Sequence, residues 1–241
     1  MKYQSAAMLV IGNEVLSGRT REANAWLTAR ILFDKGCKLG EIAVVPDEAA
    51  AIIDTLNRLR NRFDAVITSG GIGPTHDDIT MQAVSDAFGV ELVEHAETLD
   101  AMRNRYGEEE VNSGRRRMAR LPAGSLPIIC EKSIAPGAHI GNVYILAGVP
   151  DIFASQLERI AGDFGGQPYQ RHEIEVSLPE SMFSKELTHI QQHYADVEIG
   201  SYPHRCGPKS FGKICLSSQS PDRLQQAAID VQNMLQQLQS L

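Results

Sequence analysis

The first two-thirds of the chain alternate short apolar runs with amphipathic stretches, the pattern of a parallel sheet flanked by helices. Ala6 to Ile11 is an unbroken apolar run, as expected of a strand covered on both faces. From about Thr20 the period becomes helical, with Ala23, Trp26, Leu27 and Ile31 on one face and Gly36 as the stop. Ile42 to Val45 reads as a second strand, and Ile52, Leu56 and Leu59 give the next helix its apolar stripe. Asp64 to Thr68 is a third strand, followed at once by a glycine-rich segment. Met81, Val84 and Phe88 then mark a helix that Gly89 ends. Between 91 and 120 the pattern gives helical pieces interrupted by Gly107 and Gly114. Asn142 to Leu146 is another strand, and after Gly148-Val149-Pro150 a helix runs to about Ile160.

Gly162, Gly165, Gly166 and Pro168 crowd the next stretch, a linker composition that places a boundary between domains 1–166 and 167–241. Beyond it the order of elements changes to β-α-β-β-α, a small α+β domain. Glu173 to Leu178 alternates as a strand, and Phe183, Leu187, Ile190 and Tyr194 share a helix face. Val197 to Tyr202 and Lys213 to Ser217 are strands. The last helix is the clearest: Ser220 caps it, Pro221 sits at its first position, and Leu224, Ala227, Ala228, Val231, Leu235 and Leu238 form its stripe.

Composition narrows the function. The formal net charge of −7 argues against nucleic acid or an acidic membrane surface as partner. The four cysteines, at 37, 130, 206 and 215, form no CxxC pair, which fits neither a disulfide framework nor a zinc site. Isolated cysteines fit a reducing compartment, and no apolar run approaches a membrane span, so a cytoplasmic protein is expected.

Four strands are each followed by small or acidic residues: Gly12-Asn13-Glu14, Pro46-Asp47-Glu48, Ser69 through Asp78, and Gly148-Val149-Pro150-Asp151. In an open parallel sheet such loops leave from one edge, where ligands of doubly wound folds bind. Gly70-Gly71-Ile72-Gly73-Pro74 lets the backbone turn sharply and offers N–H groups unobstructed by side chains. A helix starting near Asp78 adds partial positive charge, so the segment suits phosphate. Asp77 and Asp78 would repel a bare phosphate, which a divalent cation between them resolves. Glu14 and Asp47 are further acids of the same edge. Asp47 is equally suited to cap the helix carrying Ile52, and one of Asp77 and Asp78 to cap the helix that follows them. The segment is neither a Walker loop nor a GxGxxG fingerprint. His189 and His193 have metal-ligand spacing but read as a solvated helix face, since Ile190 stands where a metalloprotease has Glu. Of Arg115, Arg116 and Arg117, a surface cluster, one is a candidate to reach a phosphate.

At these residues the chain resembles the molybdopterin-binding-like domain of CinA (competence/damage-inducible protein A) and of the amino-terminal part of FAD synthases. More distantly it is similar to the MoaB/Mog/gephyrin proteins. The matching segments are Ile11 to Gly18, Asn24, Val44 to Glu48, Thr68 to Thr80, Arg117 to Pro122, Ala135-Pro136-Gly137 and Leu146 to Pro150, with Gly200-Ser201-Tyr202-Pro203 in the small domain. Two positions depart from the family: Ala147 stands for a proline, and Met118 for a glutamine that would offer an amide to the ligand.

The resemblance implies a three-layer α/β/α fold with a mostly parallel sheet, self-association, and a pterin- or nucleotide-like anionic ligand. CinA-type domains imply ADP-ribose pyrophosphatase activity and FAD synthase domains FAD hydrolysis, each with Mg²⁺, Mn²⁺ or Co²⁺. The Mog and gephyrin branch implies molybdopterin as ligand and its adenylylation. Neither the amidase domain of CinA nor the FAD-synthesising domain has a counterpart in this sequence, so neither activity is expected of it.

Carried onto this chain, Asp77 and Asp78 are the metal-holding acids, with Glu14 or Asp47 to orient the water. Gly12, Asn13, Ser69, Gly70, Gly71, Gly73, Pro74, Thr75, Arg117, Gly137, Gly148 and Pro150 are the ligand contacts. The expected reaction is metal-dependent hydrolysis of a dinucleotide-type pyrophosphate to AMP. The alternatives are molybdopterin binding in cofactor assembly and a non-catalytic nucleotide-sensing module.

Overall fold

A computed structural model describes residues 2–206 and 209–240, with side chains outside 204–211. The chain divides into two compact units, Met1–Gly166 and Gln167–Leu241.

The first unit is built on a six-stranded sheet. Strands β1 (Ser5–Ile11), β2 (Lys38–Val45), β3 (Ala65–Ser69) and β8 (Val143–Leu146) run parallel in the order β2-β1-β3-β8. Strands β7 (Ser133–Ile140) and β6 (Leu126–Cys130) continue it antiparallel, in the order β8-β7-β6. A separate two-stranded ribbon pairs β4 (Leu92–Glu94) with β5 (Arg120–Pro122).

The run Ala6–Ile11 is apolar throughout because its two faces feed two cores. Met8 and Val10 pack towards helices α2 (Asn24–Lys35) and α7 (Pro150–Ile160), which contribute Leu32, Phe153 and Leu157. Ala7, Leu9 and Ile11 pack towards α3 (Ala49–Arg62) and α4 (Thr80–Phe88), which contribute Ile52, Leu56, Leu59 and Val84. The result is the three-layer α/β/α sandwich with a mostly parallel sheet. Gly36 and Gly89 close α2 and α4 in the left-handed region, at φ 75° and 65°, where glycine carries no Cβ penalty. The remaining helices of this unit are short α1 (Asn13–Leu16), α5 (Ala96–Tyr106) and α6 (Ser113–Met118).

Two local readings differ from the structure. Leu27 and Ile31 pack against the core as expected, but Trp26 is 62% exposed, its ring lying under the Arg30 guanidinium at 4.8 Å, and the most buried positions of α2 are Asn24, Ala25, Thr28 and Leu32. Gly114 lies inside α6 rather than interrupting it, whereas Gly107 does end α5.

The second unit holds an antiparallel sheet in the order β10-β11-β9, made of β9 (Gln170–Val176), β10 (Glu198–Cys206) and β11 (Lys209–Ser218). Ile174, Val176, Ile214 and Leu216 meet the stripe Leu224, Ala227, Val231 and Leu235 of α9 (Pro221–Gln239). Helix α8 (Ser184–His193) adds Leu187 and Ile190 to this core. Ser220 accepts the Arg223 amide as the cap of α9. Among the described residues no helix is long and apolar enough to cross a membrane.

Candidate functional site

Parallel pairing puts the carboxyl ends of β1, β2, β3 and β8 on one edge, and main-chain bonds knit their loops together. The Gly12 N–H donates to the Val45 carbonyl at 3.1 Å and the Gly70 N–H to the Leu146 carbonyl at 3.3 Å. Asp47 caps no helix: α3 has Glu48 at its N-cap and no side-chain cap bond. The Asp47 carboxylate instead accepts the Asn13 N–H at 2.8 Å, tying the first loop to the second. The Glu14 carboxylate folds back beside Gly12, where a Cβ would lie 2.5 Å from Oε1.

The glycine segment is shaped by two positions that only glycine fits. At Gly70, φ is 104° and a Cβ would lie 2.2 Å from the Ile11 carbonyl oxygen. At Gly71, φ is 67° and a Cβ would lie 2.2 Å from the Thr80 hydroxyl. Thr80 closes the turn, its hydroxyl donating to the Gly70 carbonyl at 2.9 Å and its N–H to the Gly71 carbonyl at 3.0 Å.

Helix α4 therefore starts at Thr80, two residues later than the sequence pattern places it, and neither Asp77 nor Asp78 caps it. Both carboxylates turn to Thr75. Asp78 accepts the Thr75 N–H at 2.8 Å, and Asp78 and Asp77 each approach the Thr75 hydroxyl, at 2.6 and 2.5 Å. One hydroxyl has one proton, so it serves one carboxylate at a time.

The Thr75 hydroxyl, with the Asp77 N–H and the neighbouring His76, holds the Asp77 carboxyl below the usual range. A depressed folded value means this loop contact is complete above the unfolded carboxyl pKa and lost as pH falls through the lower folded one. An NMR titration of the Asp77 carboxyl carbon should show a midpoint below that of an ordinary aspartate; an ordinary or raised midpoint would rule the contact out.

A cavity of about 220 Å³ opens beside the segment. Gly71, Gly73, Asp78, Gln82, Arg117 and Arg120 are among the residues that line it. Arg117 donates to the Thr75 carbonyl, and Arg120 to the Leu92 carbonyl at 3.1 Å, so both guanidiniums are held in place. Its neighbours are spent elsewhere: Arg115 pairs with Glu110 at 3.3 Å and covers the Tyr106 ring, and Arg116 pairs with Glu94 at 3.6 Å.

The other expected contacts lie outside the cavity lining. Gly148 packs on Gly70, Gly137 sits inside β7 with the Ile145 carbonyl 2.4 Å from its missing Cβ, and Pro150 opens α7 on the surface. Ser69 is buried beneath the loop, Pro74 and Thr75 are exposed on it, and Met118 lines a separate groove between α5 and the β6–β7 turn. The sequence pattern singles out neither Gln82 nor Gln156, and it carries Arg120 and Asn24 only as family positions with no role in the site.

Among the described residues no group of three or more His, Cys, Asp or Glu side chains converges as a metal cage. His189 and His193 lie exposed on α8. Cys37 is buried, and burial, reinforced by Asp64, raises its thiol to about 12, which removes it as a nucleophile. The side chain of Cys206 lies outside the described residues. Asp77 and Asp78, converging on the Thr75 hydroxyl, fit a cation of the kind that takes one or two carboxylates and completes its shell with phosphate and water.

A three-layer sandwich with a mostly parallel sheet, its glycine turn and paired acids following the carboxyl end of β3, defines an α/β protein of the doubly wound class. Residues 7–166 match the family model described as "Probable molybdopterin binding domain", and residues 168–240 the one described as "FAD synthase, middle domain". The chain belongs to the molybdopterin-binding-domain family, in its CinA-type form. It is 31% identical to a protein of Pyrococcus furiosus across 92% of this chain and 93% of that one. It is 30% identical to a CinA-like protein of Myxococcus xanthus across 93% of this chain and 57% of the relative. The crystal structure of CinA from Thermoplasma acidophilum, a protein described as of unknown function, superimposes with a TM-score of 0.63 at 30% identity. It covers 67% of this chain and 98% of that one.

Proposed function

We propose that this chain hydrolyses a dinucleotide-type pyrophosphate, ADP-ribose or FAD, and releases AMP. The observation that carries the reading is one cavity walled together by glycine backbone, by Arg117 and Arg120, and by Asp78 of the Asp77–Asp78 pair. Such a wall suits a pyrophosphate accompanied by a cation and suits neither alone.

The main-chain N–H groups around Gly71 and Gly73 donate to the phosphate oxygens, while Arg117 and Arg120 neutralise the negative charge on the non-bridging and leaving oxygens. Asp77 and Asp78 hold Mg²⁺, Mn²⁺ or Co²⁺. When bound, the cation lowers the pKa of water and offsets phosphate charge. Asp47 is engaged with Asn13, which leaves Glu14, beside Gly12, to orient the attacking water. The water oxygen bonds to phosphorus as the P–O–P bridge breaks. The bridging oxygen leaves with the second phosphate and one water proton is lost to solvent. ADP-ribose thus yields AMP and ribose 5-phosphate, and FAD yields AMP and FMN.

The test is AMP release from ADP-ribose, FAD and NAD with each of the three cations; turnover names the substrate, and silence across the panel rejects hydrolysis. Arg117→Ala is expected to raise KM about tenfold or more while leaving kcat closer to wild type, because a charged hydrogen bond to phosphate contributes about 1.5–3 kcal/mol. An unchanged KM would remove Arg117 from the ligand site.

A second reading, molybdopterin binding, is favoured by the apolar side of the same cavity, where Ile79, Met81 and Leu92 suit a flat pterin. Molybdopterin copurifying with the chain, without AMP release, would establish it. Tight nucleotide binding without turnover would instead make the chain a sensing module.

A further inference from the structure

We propose that Asn24 is a positioning residue of the site, setting the gap between the glycine loop and the loop after β8. Asn24 opens α2 yet is only 5% exposed, and its side chain takes no part in capping the helix. That task falls to Glu22, whose carboxylate accepts the Ala25 N–H at 2.8 Å. The Asn24 amide nitrogen points the other way. It donates to the Ser69 hydroxyl and to the Gly148 carbonyl, both at 2.9 Å, so both of its protons are used on loops 45 and 124 residues away.

The network continues from there. The Ser69 hydroxyl donates to the Ala147 carbonyl at 3.5 Å, and the Ala147 N–H donates to the fully buried Gln156 at 2.8 Å. Gly148 is thereby held against Gly70, close enough that a Cβ on Gly148 would lie 3.1 Å from the Gly70 Cα. Gly70 is trapped between this backbone and the Ile11 carbonyl, which aims the N–H groups that follow it.

The arrangement needs two donors on one uncharged, short side chain. Aspartate keeps the shape and supplies none, and it sets a carboxylate against the Gly148 carbonyl. Without the clamp the loop after β8 parts from Gly70, and the anion-binding turn loses its backing while the strands beneath remain paired. The consequence for ligand affinity rests on the proposed function; the consequence for the two loops does not.

The test is hydrogen–deuterium exchange on the full chain, wild type against Asn24→Asp, combined with titration of ADP-ribose. Exchange in segments 69–79 and 146–150 is expected to accelerate together by about tenfold or more in the variant, with β1 and α7 as protected as before. ADP-ribose affinity is expected to fall by a similar factor and to recover in part between pH 8 and pH 5. A buried carboxyl is protonated readily and then donates one hydrogen bond, whereas wild type carries no such group at this position.

Unchanged exchange in both segments would overturn the proposal. If Asn24→Asp fails to fold, Ser69→Ala serves instead: faster exchange across 146–150 supports the clamp and unchanged exchange refutes it. If wild type ignores ADP-ribose, the hydrolase reading falls while the exchange comparison still decides the role of Asn24.

Discussion

Gly70→Ala is expected to leave the first unit unfolded or insoluble. Alanine at φ 104° is strained by about 1–3 kcal/mol, and its Cβ would meet the Ile11 carbonyl oxygen at 2.2 Å. That carbonyl cannot retreat, because β1 is the strand on which β2 and β3 both pair. A displacement large enough to relieve the overlap disturbs the end of the β1–β2 ladder, where Ile11 pairs with Val45, and each buried backbone group left unpaired costs about 1–3 kcal/mol on top of the strain, a large fraction of the roughly 5–15 kcal/mol that holds a whole domain together. Gly124→Ala is the control. Its φ is 78° and a Cβ there meets nothing within 4 Å, so it reports backbone strain alone, about 1 kcal/mol. Thermal melts of the two variants check the contrast. A Gly70→Ala protein melting with Gly124→Ala would mean that the turn is not built as described.

Asp78→Asn is expected to reduce AMP release by about a hundredfold or more with little change in melting temperature. Asp78 is the acid of the pair that lines the cavity, and the Thr75 N–H can be accepted by an amide oxygen as well as by a carboxylate. The loop should therefore keep its shape while losing the charge that holds a cation. Separate kcat and KM values decide between roles: a fall confined to kcat places Asp78 in the reaction, and a rise confined to KM makes it a binding group only. A melting temperature lowered by many degrees would show that the substitution acted through the fold.

What the sequence made legible, and what it did not, follows from the range of the interactions. Ala6–Ile11 announced its strand because both faces are buried, and Gly36 and Gly89 marked helix ends because their left-handed turns are local. The glycine segment and its acids were visible as neighbours in the chain. Asp47 was ambiguous because its partner, Asn13, lies 34 residues away, and proximity in sequence favoured a cap that does not form. Asn24 was visible only as a family position, since Ser69 reaches it from the end of β3 and Gly148 from the loop after β8. Trp26 misled because aromatic bulk suggests burial, while a cation stacked on the ring lets it stay on the surface. Arg120 lies in a three-residue strand too short to show a face.

The most direct test of the central claim is AMP release from ADP-ribose and from FAD with Mn²⁺, measured side by side for wild type and Asp78→Asn. The account predicts stoichiometric AMP with ribose 5-phosphate or FMN from wild type, abolished by chelation and nearly absent in the folded variant. Wild-type protein that binds either compound and never releases AMP, or a variant that turns over as fast as wild type, would contradict it.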